Sequence, residues 1–320
     1  MEFIRNSARN ISRFDEIKGL DDCDIVMFSR SHTKKSVSVA QAAKAAGKIV
    51  TFDICDNLFH GYQSWHDRYR VQLVAEMIRQ ADIVTTPTRV LGEILRENVP
   101  DSNASYHVIP DALENLAPRQ NSGPADIKLD PLRGFLEAHR DALHCVWFGS
   151  STKNLAGFVD LDKAVLELAA FSRHQPVTLT IISDKRWRYW LSRRRWNVPT
   201  TYVDFNVDNF GAALALHRVA IIPVANNPYT AGKSINRPAT ALLAGLGVIA
   251  DPLDSYEELR SFIEIGDWQA GLAHYNAPSP EHTARLAAAR AYLHDRYAPE
   301  AIGSRWLRLI DDISKRETAR

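Results

Sequence analysis

The chain has 320 residues, room for about two domains of ~150 residues, and its 39 basic and 38 acidic residues nearly cancel. With 45% hydrophobic and 24% charged residues it is neither a disordered chain nor a general nucleic-acid coat, and three scattered cysteines (Cys23, Cys55, Cys145) exclude a disulfide framework or four-thiolate zinc site. The longest near-continuous apolar run, Ala239 to Ala250, falls short of the ~20 residues of a membrane span, and the N-terminus lacks an apolar signal core, so a soluble cytoplasmic protein is expected.

Short β-branched runs alternate with helical patterns, the signature of parallel α/β architecture. Residues 24–30 (DIVMFSR) read as a buried strand, followed by a helix over SVSVAQAAKAAG that stops at Gly47. Strands are expected at 48–54, 82–86 and 106–109, with helices over 70–80 and 89–98. From Ala112 to about residue 130 the pattern dissolves, and Pro118, Gly123 and Pro124 mark a linker. It restarts with a strand at 144–148, a turn at Gly149 and a helix over 156–172. Strands at 177–183, 201–205, 219–224 and 248–250 follow, with helices over 210–217 and 238–243. The tail reads as helix over 281–296 and again from Pro299, where Trp306, Leu309, Ile310 and Ile313 share one face. The expected fold is α/β, with two Rossmann-like domains in tandem. An abbreviated first domain spans 1–118, a linker 119–141, a second domain 142–298 and a C-terminal helix 299–320.

In doubly wound sheets ligands lie beyond the carboxyl ends of the strands. At VWFGSSTKN, Gly149, Ser150, Ser151 and Lys153 bring small residues, hydroxyls and a cation to such an end. Backbone N–H groups there can cradle a phosphate; the plain reading is a tight turn. The stretch PVANNPYTAGKSINRPATALLAGLGVIAD follows a strand with a polar loop carrying Tyr229, Lys233, Ser234, Asn236 and Arg237, and a helix is expected to start at Pro238. Lys233 and Arg237 then flank the positive end of a helix, which is costly unless an anion sits between them. The alternative is a solvated basic loop, where screening is strong. NPYTAGKS imitates a Walker A motif, but Asn227 stands where its first glycine belongs.

These segments resemble the GT-B glycosyltransferases, in particular the group related to family 4. GKSINRPATALLAGLGVIADPLDSYEEL is similar to that family's Lys-Ser before a helix, small-residue turn, short strand and Tyr-Glu segment. ADIVTTPTRVLGEIL followed by YHVIPDAL is similar to the strand–helix–strand ahead of the interdomain linker, and VWFGSSTKN to the opening of the donor domain. The resemblance implies a cleft between the two domains, a nucleotide-sugar donor held mainly by the C-terminal one, an acceptor on the N-terminal one, and a C-terminal helix routed back to the first domain. It implies donor contacts from Gly149, Ser150, Ser151, Lys153, Tyr229, Lys233, Ser234, Asn236, Arg237 and Thr240, with Lys233 and Arg237 stabilising the departing diphosphate and no metal needed. Two glutamates carried by many retaining members align with Gly232 and Thr240, so sugar and ribose recognition must use other groups.

On the acceptor side, FDICDNLFHGY places Asp53, Asp56, Asn57 and His60 after a strand end. Asp53, Asp56 and His60 are candidates for the base that takes the acceptor proton; an Asx-turn or cap accounts equally well for Asp56 and Asn57. SDKRWRYWLSRRRWN carries six basic residues and three of the chain's seven tryptophans. On a helix Trp187, Trp190 and Leu191 share a face, which suits a membrane interface or a polyanion; packing of the tryptophans onto the sheet is the default reading. The function expected is a cytoplasmic glycosyltransferase acting on a saccharide or lipid-linked acceptor, in surface polysaccharide or glycoconjugate synthesis, without cofactor or nucleic acid. A lipid-linked acceptor would place it peripherally on the inner face of the membrane through 185–196. The alternatives are a non-catalytic nucleotide-sugar-binding subunit and a sugar-nucleotide epimerase of the same fold.

Overall fold

The computed structural model describes residues 20–61, 65–117, 129–151, 156–277 and 279–318. They divide into two compact units, each discontinuous in sequence. Unit 1 comprises Met1–Ala112, Asn227–Ser234 and Asp295–Arg320; unit 2 comprises Leu113–Asn226 and Ile235–His294.

The described part of unit 1 is built on parallel strands β1 (Ile25–Ser29), β2 (Ile49–Asp53), β3 (Ile83–Thr86) and β4 (Ser105–Val108), hydrogen-bonded in sequence order. The connecting helices start where the sequence supplies caps. Thr33 and Ser36 form a reciprocal capping box for Lys34–Ala45, which Gly47 ends at a φ of 71°, and Thr88 accepts from the Leu91 amide ahead of Arg89–Asn98. Val50, Phe52, Met77, Ile78, Leu91 and Leu95 are fully buried in the resulting core. The C-terminal helix Pro299–Thr318 also belongs to this unit, and it buries Trp306, Leu309 and Ile313 at the expected helical spacing.

Unit 2 carries β5 (Leu143–Phe148), β6 (Val177–Ser183), β7 (Thr200–Asp204), β8 (Val219–Ile222), β9 (Gly247–Ala250) and β10 (Glu264–Ile265). Their order is β10–β9–β8–β5–β6–β7, all parallel. The chain starts at β5, winds outward through β6 and β7, then returns to β8 and winds outward the other way. Such a reversal opens a crevice at the carboxyl ends of the two central strands, here β5 and β8. Every residue of β6, β8 and β9 is buried, which is why these strands read as continuous apolar runs rather than alternating ones.

Several elements differ from the sequence reading, among them the short strand β10, which was not expected. Residues 130–138, inside the expected linker, form the helix Asp130–Ala138 of unit 2, with Leu132 and Leu136 buried one turn apart; neighbouring glycines and prolines obscure its short period. The helix expected over 156–172 starts later, at Leu161, because Gly157 sits at a φ of 82° and leads into a 3₁₀ turn over Phe158–Asp160. A helix over Trp268–Asn276, not expected, buries Trp268, Leu272 and Tyr275 in the same core.

His217 lies inside unit 2, with its two ring nitrogens 2.9 Å from the Ala213 carbonyl and 2.7 Å from Thr180 Oγ1. Burial pushes its pKa down from 6.5 to about 4. The unfolded chain therefore takes up a proton first as pH falls, so stability present above the ordinary histidine value is lost on acidification towards pH 4. A loss of up to about 3 kcal/mol is expected over that range, read as a falling melting temperature, and His217→Gln should flatten this part of the curve.

Candidate active site

In unit 2 the crevice between β5 and β8 opens beside Gly149. Ser183 Oγ donates to the Gly149 carbonyl at 2.7 Å, and the Ser151 amide and hydroxyl donate to Asp184 Oδ1 at 2.7 and 3.0 Å. Ser150 Oγ donates to the other Asp184 oxygen at 3.2 Å. The Ser151 amide expected to face a ligand phosphate is thus already taken by a carboxylate of the protein.

What remains open at this strand end is a cation. Arg237 is the second residue of the helix Asn236–Leu243, at its positive end. A Cβ on Gly149 would lie 3.0 Å from Arg237 Nη2, and one on Gly157 would lie 3.2 Å from the same atom. These two glycines make room for the guanidinium, which also lies over the Trp147 ring at 5.9 Å. Arg237 is half-buried, and among the described residues no hydrogen bond or ion pair engages it. Asp160 is nearby, but it accepts the Gly157 amide at 2.7 Å, and burial raises its carboxyl above the usual range despite the field of Arg237. A half-buried guanidinium without a carboxylate is costly, and its planar fork of donors matches a phosphate.

In unit 1 a pocket of about 200 Å³ opens at the carboxyl end of the sheet, lined by Ser29, Asp53, Asp111, Pro299, Ile302 and Trp306 among others. Asp53 closes β2 and accepts from the residues opposite it on both neighbouring strands, Ser29 Oγ at 3.0 Å and Thr85 Oγ1 at 2.9 Å. Burial holds its carboxyl above the usual range; the two hydroxyls oppose that shift, and the charge of Asp111 adds to it. Arg30, left-handed at a φ of 54°, donates its amide to the Asp53 carbonyl at 2.8 Å, a strained conformation held at the rim of the site. Asp111 accepts from Ser234 Oγ at 2.8 Å.

Lys233 also lies in unit 1. It ion-pairs with Asp56, stands 4.6 Å from the Tyr229 ring centroid and reaches the Tyr229 hydroxyl at 3.4 Å. The anion expected beside Lys233 is therefore, in this structure, the Asp56 carboxylate. Lys233 and Arg237 are assigned to different units. Asn57 donates to the Pro228 carbonyl at 2.8 Å and accepts the Phe59 amide at 3.0 Å, the Asx-turn role. NPYTAGKS is no phosphate loop: Asn227 caps the short helix Pro228–Ala231, accepting the Tyr229 and Thr230 amides.

Of the remaining candidates, His60 is exposed, and Lys153 lies outside the described residues. Asn236 opens its helix two residues before Pro238, and Thr240 is buried with its hydroxyl 3.5 Å from Glu114 Oε2. Sequence reasoning missed Asp111, Gly157, Asp160 and Trp147. It also missed Asp251, which accepts the Val224 amide at 3.0 Å and Trp268 Nε1 at 2.9 Å. Asp251 directly follows the strand GVIA, and a carboxylate at a strand end was a signal available in the sequence. Among the described residues no group of three or more His, Cys, Asp or Glu could hold a metal ion, and no helix is long and apolar enough to cross a membrane.

A doubly wound parallel unit with a cationic cradle at its switch point, on a chain with a second parallel α/β unit, is the GT-B fold. Solved structures of similar fold agree. Anabaena HepE in complex with UDP and glucose matches with a TM-score of 0.64 at 16% identity, over 91% of this chain and 78% of that one. An α,α-trehalose 6-phosphate synthase from Burkholderia multivorans matches with a TM-score of 0.63 at 12% identity, over 92% and 72%. Sucrose-phosphate synthase from Thermosynechococcus elongatus matches with a TM-score of 0.56 at 14% identity, over 91% and 74%. No protein-family model matches the chain, and no curated protein matches it in sequence.

Proposed function

We propose that the protein is a glycosyltransferase that moves a sugar from a nucleoside-diphosphate donor to a hydroxyl of a saccharide or lipid-linked acceptor. The observation that carries this reading is Arg237, a half-buried guanidinium that no carboxylate engages among the described residues, held between two glycines at the β5–β8 switch point. The likeness to HepE solved with UDP and glucose supports it, as does the likeness to two sugar-phosphate synthases.

In this reading unit 2 holds the donor and unit 1 receives the acceptor. The bond from the anomeric carbon to the diphosphate oxygen breaks as the acceptor oxygen bonds that carbon. Arg237 offsets the charge that builds on the departing diphosphate, in a site where a preoriented cation is worth more than in water. The acceptor proton passes to Asp53, which lines the unit 1 pocket and is held by two strand-end hydroxyls. Asp56 is the weaker candidate for the base because Lys233 already engages it. Lys233 spends two of its three ammonium protons on Asp56 and Tyr229, which leaves one for an anionic group.

The test is incubation with uridine, guanosine, cytidine and thymidine diphosphate sugars and a panel of acceptors, following release of nucleoside diphosphate. Release that requires an acceptor is expected. Binding without release across the panel would leave a nucleotide-sugar binder, and a new sugar nucleotide formed without acceptor would indicate an epimerase.

A further inference from the structure

The basic aromatic segment is not buried as its default reading expects. Of its four aromatic side chains only Tyr189 and Trp196 pack inward, beside the half-buried Arg188 that donates to the Ser151 carbonyl: the Tyr189 hydroxyl donates to the Thr200 carbonyl at 3.0 Å, and Trp196 Nε1 donates to Asp162 Oδ1 at 2.6 Å. With these two anchored, the helix Arg186–Ser192 turns its other side to solvent. Trp187 is 60% exposed, Trp190 47% and Leu191 60%.

The same edge of unit 2 carries more apolar surface. β7 is the edge strand, and Ser183 at the end of β6 lies opposite Asp204 at the end of β7, so the start of the helix adjoins Phe205. An Arg186–Asp204 ion pair at 2.5 Å ties the two together. Phe205 is 51% exposed and Val207 46%. Five of the eight large apolar side chains exposed among the described residues thus fall between Trp187 and Val207.

The charge of the segment itself is positive, with Asp184, Asp204 and Asp208 at its borders. Residues 185–195 hold six cations and no acid. Asp204 and Asp162 engage Arg186 and Arg195, but no ion pair engages Lys185, Arg193 or Arg194 among the described residues. The Arg193 guanidinium stands 3.9 Å from the centroid of the exposed Trp190 ring.

We propose that this edge docks the protein on an anionic lipid surface, the indoles, Leu191 and Val207 entering the interface while Lys185, Arg193 and Arg194 meet lipid phosphates. Indole rings with a cationic border are the composition of an interfacial anchor. A bare polyanion would call for the arginines but would give Leu191 and Val207 nothing to bury against.

The experiment is co-sedimentation of the full chain with vesicles of phosphatidylcholine alone and of phosphatidylcholine with phosphatidylglycerol, read together with tryptophan emission. Binding to the anionic vesicles only is expected, with a blue shift and an affinity that falls as salt rises. The triple variant Trp187→Ser, Trp190→Ser, Leu191→Ser should bind at least ~10-fold more weakly, and so should Arg193→Ser with Arg194→Ser, each exposed site costing little stability. The single change Leu191→Ser is the fallback if the triple variant fails to fold, with a smaller loss in the same direction. No binding above the neutral vesicles, or triple and arginine variants that bind like the parent, overturns the proposal. So does self-association, or oligonucleotide binding, through this edge without vesicle binding.

Discussion

Arg237→Ala is expected to weaken nucleoside-diphosphate binding roughly 10- to 150-fold, the range for one charge-assisted phosphate contact. Turnover should fall by at least as much, because the contact strengthens as the diphosphate departs. Folding should survive: among the described residues the guanidinium engages no hydrogen-bond partner, so its removal orphans none, and the neighbouring glycines lose only a close contact. Lys233→Met is the informative comparison. Its loss leaves the Asp56 carboxylate, 19% exposed, without its ammonium. The expected effect is a stability loss of about 1–2 kcal/mol in unit 1, reduced from the buried-pair value because Lys233 is partly solvated. Calorimetric titration and thermal melts on both variants check this. If Lys233→Met weakens nucleotide binding as much as Arg237→Ala does, the assignment of the diphosphate to Arg237 is wrong.

Asp53→Asn should lower turnover by about 10²- to 10⁴-fold, the usual contribution of a positioned base. The same change should leave stability at neutral pH unchanged or raised. Burial lifts the folded-state pKa of Asp53 above its unfolded value, so between the two the folded chain keeps a proton that the unfolded chain has released. Stability linked to this carboxyl is present below the ordinary carboxylate value and is lost as pH rises through the raised one. At neutral pH the ionised, buried group is a liability that asparagine removes, while its amide oxygen still accepts from Ser29 or Thr85. The acid limb of the wild-type rate profile should lie above the usual carboxylate range and be absent from the variant. A variant that loses stability and activity together would mark Asp53 as structural.

The strands were legible because parallel sheets covered on both faces write themselves as β-branched runs; β6 falls on residues 177–183 as the sequence implies. The restart of the pattern after the linker announced a second parallel sheet, whereas the β5–β8 switch point depends on a strand order that no local pattern carries. The pairings that build the site were not legible. Lys233 meets Asp56 across 177 residues and Ser234 meets Asp111 across 123, and no local pattern announces such partners. The cost of clustered cations implied a ligand anion between Lys233 and Arg237, but the anion beside Lys233 is the Asp56 carboxylate, and the two cations fall in different units. Likewise, helical spacing put Trp187, Trp190 and Leu191 on one face but could not say which face meets the sheet. Tyr189 and Trp196 took that side, since each has a polar partner there.

The central claim is that Arg237 holds the terminal phosphate of the donor's nucleotide. Dissociation constants of the best-binding nucleoside diphosphate and of its monophosphate, measured for the parent and for Arg237→Ala, test it through a four-way comparison. The account predicts that the parent prefers the diphosphate at least ~10-fold and that this preference collapses in the variant. An equal preference in both proteins would place the second phosphate elsewhere and contradict the account.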